Sequence, residues 1–324
     1  MMAYAYKTDE MVRLIQAKLE HKSYTDTPLL SWFKTIGNIQ NIGEGLIKKT
    51  ITTIEKMEPG ELVSDLSSLP TNAPRFSETT TTLATYGAKI VIPMRLMDQW
   101  RSNSQIDVQI ADILNEQTKA FMIQVEQFLA NGDAMPNPRT NDRASGESVF
   151  KGIFSGGTAF GAGDGADNNM SAAGDYQSTV STAVEALETA GHQSKVGYYM
   201  FSDNTTKHTA ERGIHQLNTV VFTNEKKAID QDPQIIEWIA SPNYLNSSSE
   251  SKILITNPFT NPVPGGNETE FAYRLLISYD MKVIPLNGGN INSQLNYEYA
   301  VVWSGAIEFI NAAAIQVSGA LTLT

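Results

Sequence analysis

Three stretches of this chain carry residue types that could do chemistry. Between Gly152 and Gly165 the glycines recur often enough to suggest a phosphate cradle, since a chain without Cβ atoms can turn its N–H groups toward an anion. The run has no Gly-Lys-Ser/Thr ending, and Gly161, Gly163 and Gly165 miss the dinucleotide spacing, so a flexible loop is the expected reading. Asp164, Asp167, Asn168 and Asn169 offer oxygens of the kind calcium takes. They lack the EF-hand spacing and its closing Glu, and read as a solvated loop. On a helix His208 and His215 would sit two turns and about 10 Å apart, too far to share one metal ion.

Nucleophilic chemistry fares no better. Ser155-Gly156-Gly157 lacks the flanks of a nucleophile elbow, and the four histidines have no local catalytic context. Glu126, with Asp112, Glu116 and Lys119, reads as the solvated face of a helix. Asn204, Asn246 and Asn267 each head an Asn-x-Ser/Thr triplet, which without a secretory signal is a chance match. No catalytic, metal-ligating or cofactor-binding residue is assigned, and the expectation is a protein that is not an enzyme.

Composition narrows the remaining classes. The 324 residues suffice for two compact domains and a large core, and 41% hydrophobic with 18% charged residues argues against disorder. Against 35 acidic residues stand 24 basic ones, a net charge of −11, with no Lys/Arg block to collect phosphates. Sequence-specific nucleic-acid binding is not expected. With no cysteine, disulfides, thiolate metal sites and thiol nucleophiles are excluded. Met1 to Glu10 has no apolar signal core, and no run of about 18 apolar residues occurs, so the expectation is a soluble chain with no membrane partner.

The elements that would position any site can be read from periodicity. Lys7 to Leu30 suits a short helix, followed by an arm in which Trp32, Phe33, Ile36, Ile39 and Ile42 alternate loosely with polar residues and make little core of their own. Gly45 to Met57 and Glu78 to Pro93 read as two strands joined by a Pro/Gly/Ser-rich tip. Ser102 to Asn131 reads as one amphipathic helix, with Ile106, Ile110, Ile113, Leu114, Phe121, Val125, Phe128 and Leu129 on one stripe and Gly132 as its stop. Gly132 to Gly174 is expected to be a long surface excursion. A mixed unit comes next: helices over Ala172–Gly191 and Asn204–Leu217, and strands over Gly197–Ser202, Lys252–Thr256 and Phe271–Pro285, with Ile235–Ile239 apolar. The apolar closing segment, Tyr297 to Val317, should lie in a sheet against the long helix.

The two-stranded element poses the main puzzle. Thr50, Thr52 and Thr53 on one arm and Thr79 to Thr82 on the other leave it little apolar surface, and an isolated two-stranded ribbon is marginal in water. Ala84, Tyr86, Ala88, Ile90 and Ile92 alternate with polar or small residues, so the end toward Pro93 should enter a core while the Thr-rich end projects. Something outside its own domain, another copy of the chain, is expected to hold it down.

This order of elements resembles the major capsid proteins of tailed bacteriophages, the Hong Kong 97-like α+β fold. The resemblance runs from Arg75-Phe76-Ser77-Glu78 through Ala88-Lys89-Ile90-Val91-Ile92-Pro93 and Leu96-Met97-Asp98 to Val125-Glu126-Gln127-Phe128-Leu129, Gly132-Asp133 and Gly152-Ile153-Phe154. It implies an N-terminal arm with a short helix (1–44), an extended loop (45–93), a peripheral domain with a spine helix (94–171), an axial domain (172–289), and closing strands that return to the peripheral domain (290–324). It further implies hexamers and pentamers closing into an icosahedral head, assembled in the host cytoplasm around double-stranded DNA held without sequence specificity. Portal, scaffold and decoration proteins would be its other partners. The arm is too short for a cleaved scaffolding segment, so a scaffold would be a separate protein. One branch of the family crosslinks Lys to Asn beside a Glu; Lys48, Lys49 and Lys56 lie in the loop, but no Asn and Glu partners match, and that crosslink is not expected. The inter-subunit contact candidates are Trp32, Phe33, Ile47, Ile51, Arg75, Phe76 and Trp100, each with an ordinary core position as its alternative. An encapsulin-type shell around a protein cargo and a soluble mixed-fold enzyme are the competing readings.

Overall fold

Alternation along residues 84–93 decides where the main sheet begins. The computed structural model describes residues 12–13, 27–46, 48–54, 76–95, 106–132, 150–160, 175–194, 197–212, 214–217, 221–224, 235–245, 250–259, 271–289 and 292–319. Strand β4 (Ala84–Pro93) buries Ile90 and Ile92 and exposes Lys89 and Val91, a period of two that allows one face into a core. It lies in a four-stranded sheet of order β1-β11-β12-β4, with β1 Ile39–Asn41, β11 Tyr273–Pro285 and β12 Asn296–Phe309. Residues 271–285 and 296–309, which sequence reading divides between two units, are therefore neighbours in one sheet.

The inner face of this sheet carries Tyr273, Leu275, Ile277, Tyr299, Val301 and Trp303. Against it pack α1 (Pro28–Thr35) and α2 (Ile106–Asn131). Helix α2 is the expected spine, about 39 Å long at 1.5 Å per residue; residues 102–105 of the expected span lie outside the described residues. Phe121, Val125, Phe128 and Leu129 are buried at the anticipated spacing. Gly132 ends the helix at φ +61°, where a Cβ would meet the Phe150 carbonyl oxygen at 2.2 Å, so only glycine fits.

Three expectations need correction here. Residues 31–35, expected in a loosely alternating arm, continue helix α1 past the span 7–30, within which Val12 and Arg13 are helical as expected. Trp32 and Phe33 belong to the main core, because the helical turn aims both at the sheet. The glycine-rich excursion is no surface loop over residues 150–160: Ile153 and Phe154 are buried in α3 (Ile153–Gly156), and Gly156 faces the Phe309 ring, where a Cβ would stand 2.1 Å from Cζ. Close packing accounts for Gly152, Gly156 and Gly157, where an added Cβ would collide with neighbouring atoms. Residues 133–149 and 161–174 lie outside the described residues.

A second sheet has the order β5-β13-β10-β6-β9, with β5 Thr158–Ala159, β6 Tyr198–Ser202, β9 Ile235–Ala240, β10 Ile253–Thr256 and β13 Ile315–Val317. On β10, Leu254 joins the main core while Ile253 and Ile255 join a second core with Val180, Val184 and Leu187 of α4 (Asp175–Thr189). Burial on both faces is why this strand is apolar without alternation. The closing segment thus splits. Strand β12 lies in the first sheet beside the spine as expected, whereas β13 crosses to the second, redirected at Ala312–Ala314, where Asn311 accepts a hydrogen bond from the Ala313 N–H. The span 204–217 also divides, into helix α5 (Asn204–Arg212) and strand β7 (Ile214–Leu217), paired with β8 (Val221–Asn224), so His208 and His215 do not share a helix.

Candidate assembly element and its anchor

Strands β2 (Lys48–Ile54) and β3 (Phe76–Thr82) form a two-stranded antiparallel ribbon, in register from Lys48↔Thr82 to Ile54↔Phe76. At about 3.4 Å per residue it runs roughly 24 Å. Thr50, Glu78 and Thr80 are exposed, and the Thr50 and Thr80 hydroxyls meet at 3.0 Å across the strands. Among the described residues neither strand pairs with any other. The chain from Phe76 to Pro93 is nearly continuous: at Leu83, itself buried, it exchanges β2 for β12 as its partner. Sequence reading anticipated this projection.

The foot of the ribbon sits on the outer face of the four-stranded sheet. Ser278 accepts a hydrogen bond from the Gly45 N–H (3.1 Å) and donates to the Gly43 carbonyl (2.9 Å). Lys282 pairs with Glu44 at 2.9 Å, an exposed contact of small energetic weight. On β12 the Glu308 side chain is fully buried. Its Oε2 accepts from Arg274 Nε on the neighbouring β11, its register partner, and from Lys49 Nζ on the ribbon at 3.2 Å. Lys49 also donates to Gln40 Oε1 on β1. Sequence reading missed Glu308, because a lone acidic residue in an apolar strand does not reveal the two cations that reach it.

A second buried carboxylate also escaped notice. Glu126 is fully buried, which corrects its assignment to a solvated helix face. Its Oε1 accepts from the Leu29 N–H at 2.7 Å and its Oε2 from the Leu30 N–H at 3.4 Å, so the spine caps the start of α1 from outside that helix. The preceding residue, Thr27, does not cap α1 with its side chain. The buried Tyr244 hydroxyl has no hydrogen bond of normal geometry, yet lies near enough to act on the carboxylate. Burial pushes Glu126 up to about 7, opposed by the two backbone donors and then by Tyr244.

The candidate contact residues have different fates. Trp32 is 4% exposed, with Phe33, Tyr199 and Phe201 rings 5.1, 5.2 and 4.9 Å away, and Phe33 is fully buried. Both are core residues of the subunit, a correction to their place among the contacts, since neither offers side-chain surface to a neighbour. Ile51 and Phe76 lie on the ribbon strands, opposite Thr79 and Ile54. Ile47, Arg75 and Trp100 lie outside the described residues, as do Lys56 and the Asp164 to Asn169 cluster. Ser155 is committed to structure, accepting from the Gly152 N–H at 2.8 Å. Among the described residues no three metal-ligating side chains cluster, and no helix is long and apolar enough to cross a membrane.

No protein-family model and no curated protein matches the sequence. Solved structures do match. The capsid of Myoviridae phage XM1 superposes with a TM-score of 0.59 at 11% identity, covering 89% of this chain and 92% of that one. A structure from Gordonia phage Cozz gives 0.58 at 10% identity, covering 91% and 87%. This chain has the Hong Kong 97-like fold. The holo-SrpI encapsulin complex from Synechococcus elongatus PCC 7942 is similar as well, with a TM-score of 0.53 at 11% identity over 93% and 90% of the two chains. Within this Hong Kong 97-like chain the ribbon is the element that departs from its own core, and the buried Glu308 lies beneath its foot.

Proposed function

We propose that this protein is the major capsid protein of a tailed bacteriophage, a structural subunit that assembles through hexamers and pentamers into an icosahedral head around double-stranded DNA. The observation that carries this reading is the ribbon: seven paired residues on each arm, exposed at Thr50, Glu78 and Thr80, with no further strand beside them among the described residues. Such a ribbon gains order when it lies on another subunit. Shell formation requires each copy to present two different surfaces, a reaching one and a receiving one. In this reading the ribbon, with Ile51 and Phe76 on it and Ile47 and Arg75 next to it in sequence, reaches, Trp100 is a further contact candidate, and the spine and axial units receive. The domain division at 44, 93, 171 and 289 belongs to the same proposal. So do the virion location, assembly in the host cytoplasm, and the portal, scaffold and decoration partners.

The net charge of −11 supports a role in which DNA is enclosed rather than gripped, since a subunit that released many counterions would hold DNA to the wall. A second reading, an encapsulin-type shell around a protein cargo, is favoured by the similarity to the SrpI encapsulin. Light scattering and negative-stain microscopy of the purified, untagged protein test both. Rings or closed shells support assembly, and a monomer that persists at high concentration and varied salt overturns it. Nuclease-protected DNA in shells isolated from infected cells supports the phage reading, whereas a stoichiometric enzyme inside them supports the other.

A further inference from the structure

The segment that leads into the ribbon turns sharply on the outer face of the sheet. Gly43 and Gly45 stand at φ +96° and +86°, left-handed conformations on either side of Glu44, so the chain bends twice within three residues before β2 begins. Beyond this double bend the ribbon's exposed threonines have no further strand beside them and no place in either buried core, among the described residues. The β3 arm is held where it passes through the buried Leu83 into β4, and the β2 arm by polar contacts at its foot. One of these contacts comes from β2 itself: the Lys49 ammonium touches Gln40 on β1 and Glu308 on β12, the two strands flanking β11 in the sheet. One cation on the ribbon is thus held at two points across the sheet's outer face.

Glu308 is costly to place where it is. Its side chain is fully buried, Oε2 receives both cations, and Oε1 is buried with no hydrogen-bond partner. A carboxylate with one unsatisfied buried oxygen is a poor device for stabilising a sheet, and apolar replacements of buried ion pairs often match or exceed them in stability. Buried charge of this kind has its best-attested use in fixing a geometry. Arg274, its register partner, compensates the carboxylate within the sheet whether or not the ribbon is in place. The contribution of Lys49 therefore goes to the ribbon.

We propose that Lys49 and Glu308 form a catch that fixes the angle at which the ribbon leaves the sheet, making Lys49 the positioning residue for assembly. The catch rests on the assembly reading above for its purpose, but its geometry is testable on the unassembled subunit. The chain has no cysteine, so Thr80→Cys on the ribbon and Val91→Cys on β4, both exposed positions, accept a pair of spin labels without background. The labelled parent should give one narrow distance peak. Lys49→Met should broaden it at least twofold while the melting temperature stays within about 2 °C, because Glu308 keeps Arg274. Lys49→Arg should restore the narrow peak, since a second cation reaches the same oxygens. Gln40→Leu, which leaves the buried carboxylate untouched, should broaden the peak to a lesser degree and serves if Lys49→Met fails to fold.

In the unlabelled protein, Lys49→Met should give few or irregular shells where the parent gives closed ones. A peak as narrow in Lys49→Met and Gln40→Leu as in the parent overturns the catch. A broad peak in Lys49→Met that Lys49→Arg does not narrow overturns it too, as does Lys49→Met assembling into shells of the parent's size and yield. A parent that never assembles counts against the function proposed above and leaves the distance measurement to decide the catch.

Discussion

The Glu126 carboxylate accepts a 2.7 Å hydrogen bond from the Leu29 backbone N–H, joining the spine helix to the first turn of a helix 97 residues earlier in the chain. A fully buried acid at this joint couples the docking of the arm to pH. Burial holds the folded group at about 7, above the ordinary 4.5, so between these limits the folded chain keeps a proton that the unfolded chain has lost. The contribution is present in full below about pH 4.5 and is lost as pH rises toward 7. By linkage the loss amounts to about 3 kcal/mol. Urea midpoints measured from pH 5 to 8 should fall accordingly, and Glu126→Gln, which keeps an acceptor for Leu29, should flatten the profile. An unchanged slope in Glu126→Gln would assign the effect to another group.

His192 produces the opposite slope. It is 4% exposed, burial lowers its pKa from the usual 6.5, and Asn311 Nδ2 lies 2.8 Å from its Nε2. Because Asn311 Oδ1 accepts from Ala313, its Nδ2 donates, and His192 Nε2 accepts in the neutral ring. The folded pKa is depressed, so the unfolded chain binds the proton first, and stability falls as pH drops below about 6.5. Acid unfolding followed by circular dichroism should shift to lower pH in His192→Gln; an unmoved midpoint contradicts the assignment.

Trp32→Ala should destabilise the isolated subunit by about 3–5 kcal/mol, the usual loss for emptying a large aromatic site. Tyr199, Phe201 and Phe33 surround the ring, so the defect belongs to folding. Denaturant unfolding of unassembled protein is the measurement. A normal midpoint with defective assembly would return Trp32 to the inter-subunit contacts.

Paired Thr50→Asp and Thr80→Asp substitutions should place like charges opposite one another on the ribbon. Both positions lie outside the two buried cores, so the melting temperature should stay within about 2 °C of the parent value. Shell yield by light scattering should collapse. Intact shells from this variant would show that the ribbon does not carry the contact.

Gly156→Val should cost roughly 1–3 kcal/mol, the common range for overpacking. The added atoms would enter the Phe309 ring, which is 2.1 Å from an ideal Cβ at Cζ. Gly156→Val with Phe309→Leu should recover part of the loss in thermal melts; no recovery would locate the strain elsewhere.

Periodicity carried much of this fold. The stripe through Phe121, Val125, Phe128 and Leu129 reads directly as the spine, and the alternation from Ala84 to Ile92 beside a run of threonines separates the sheet from the projecting ribbon. These signals are local, set by how consecutive side chains point from a helix or strand. Glu126 and Glu308 were illegible for the opposite reason: one acid interrupts a stripe, the other interrupts an apolar strand, and the partners that explain them lie 97 and 259 residues away.

By itself the sequence determined the spine helix and the main strands, the α+β class, the lack of thiol chemistry and a ribbon poor in apolar surface, because each depends on residue type and short spacing. Only the tertiary structure decided that Trp32 and Phe33 are core, that the glycines at 152 and 156 serve packing, that β13 crosses to the second sheet, and that Lys49 meets Glu308 at the ribbon's foot. Those outcomes depend on which distant segments share a layer. Chain-wide packing chooses that arrangement, and no local spacing encodes it.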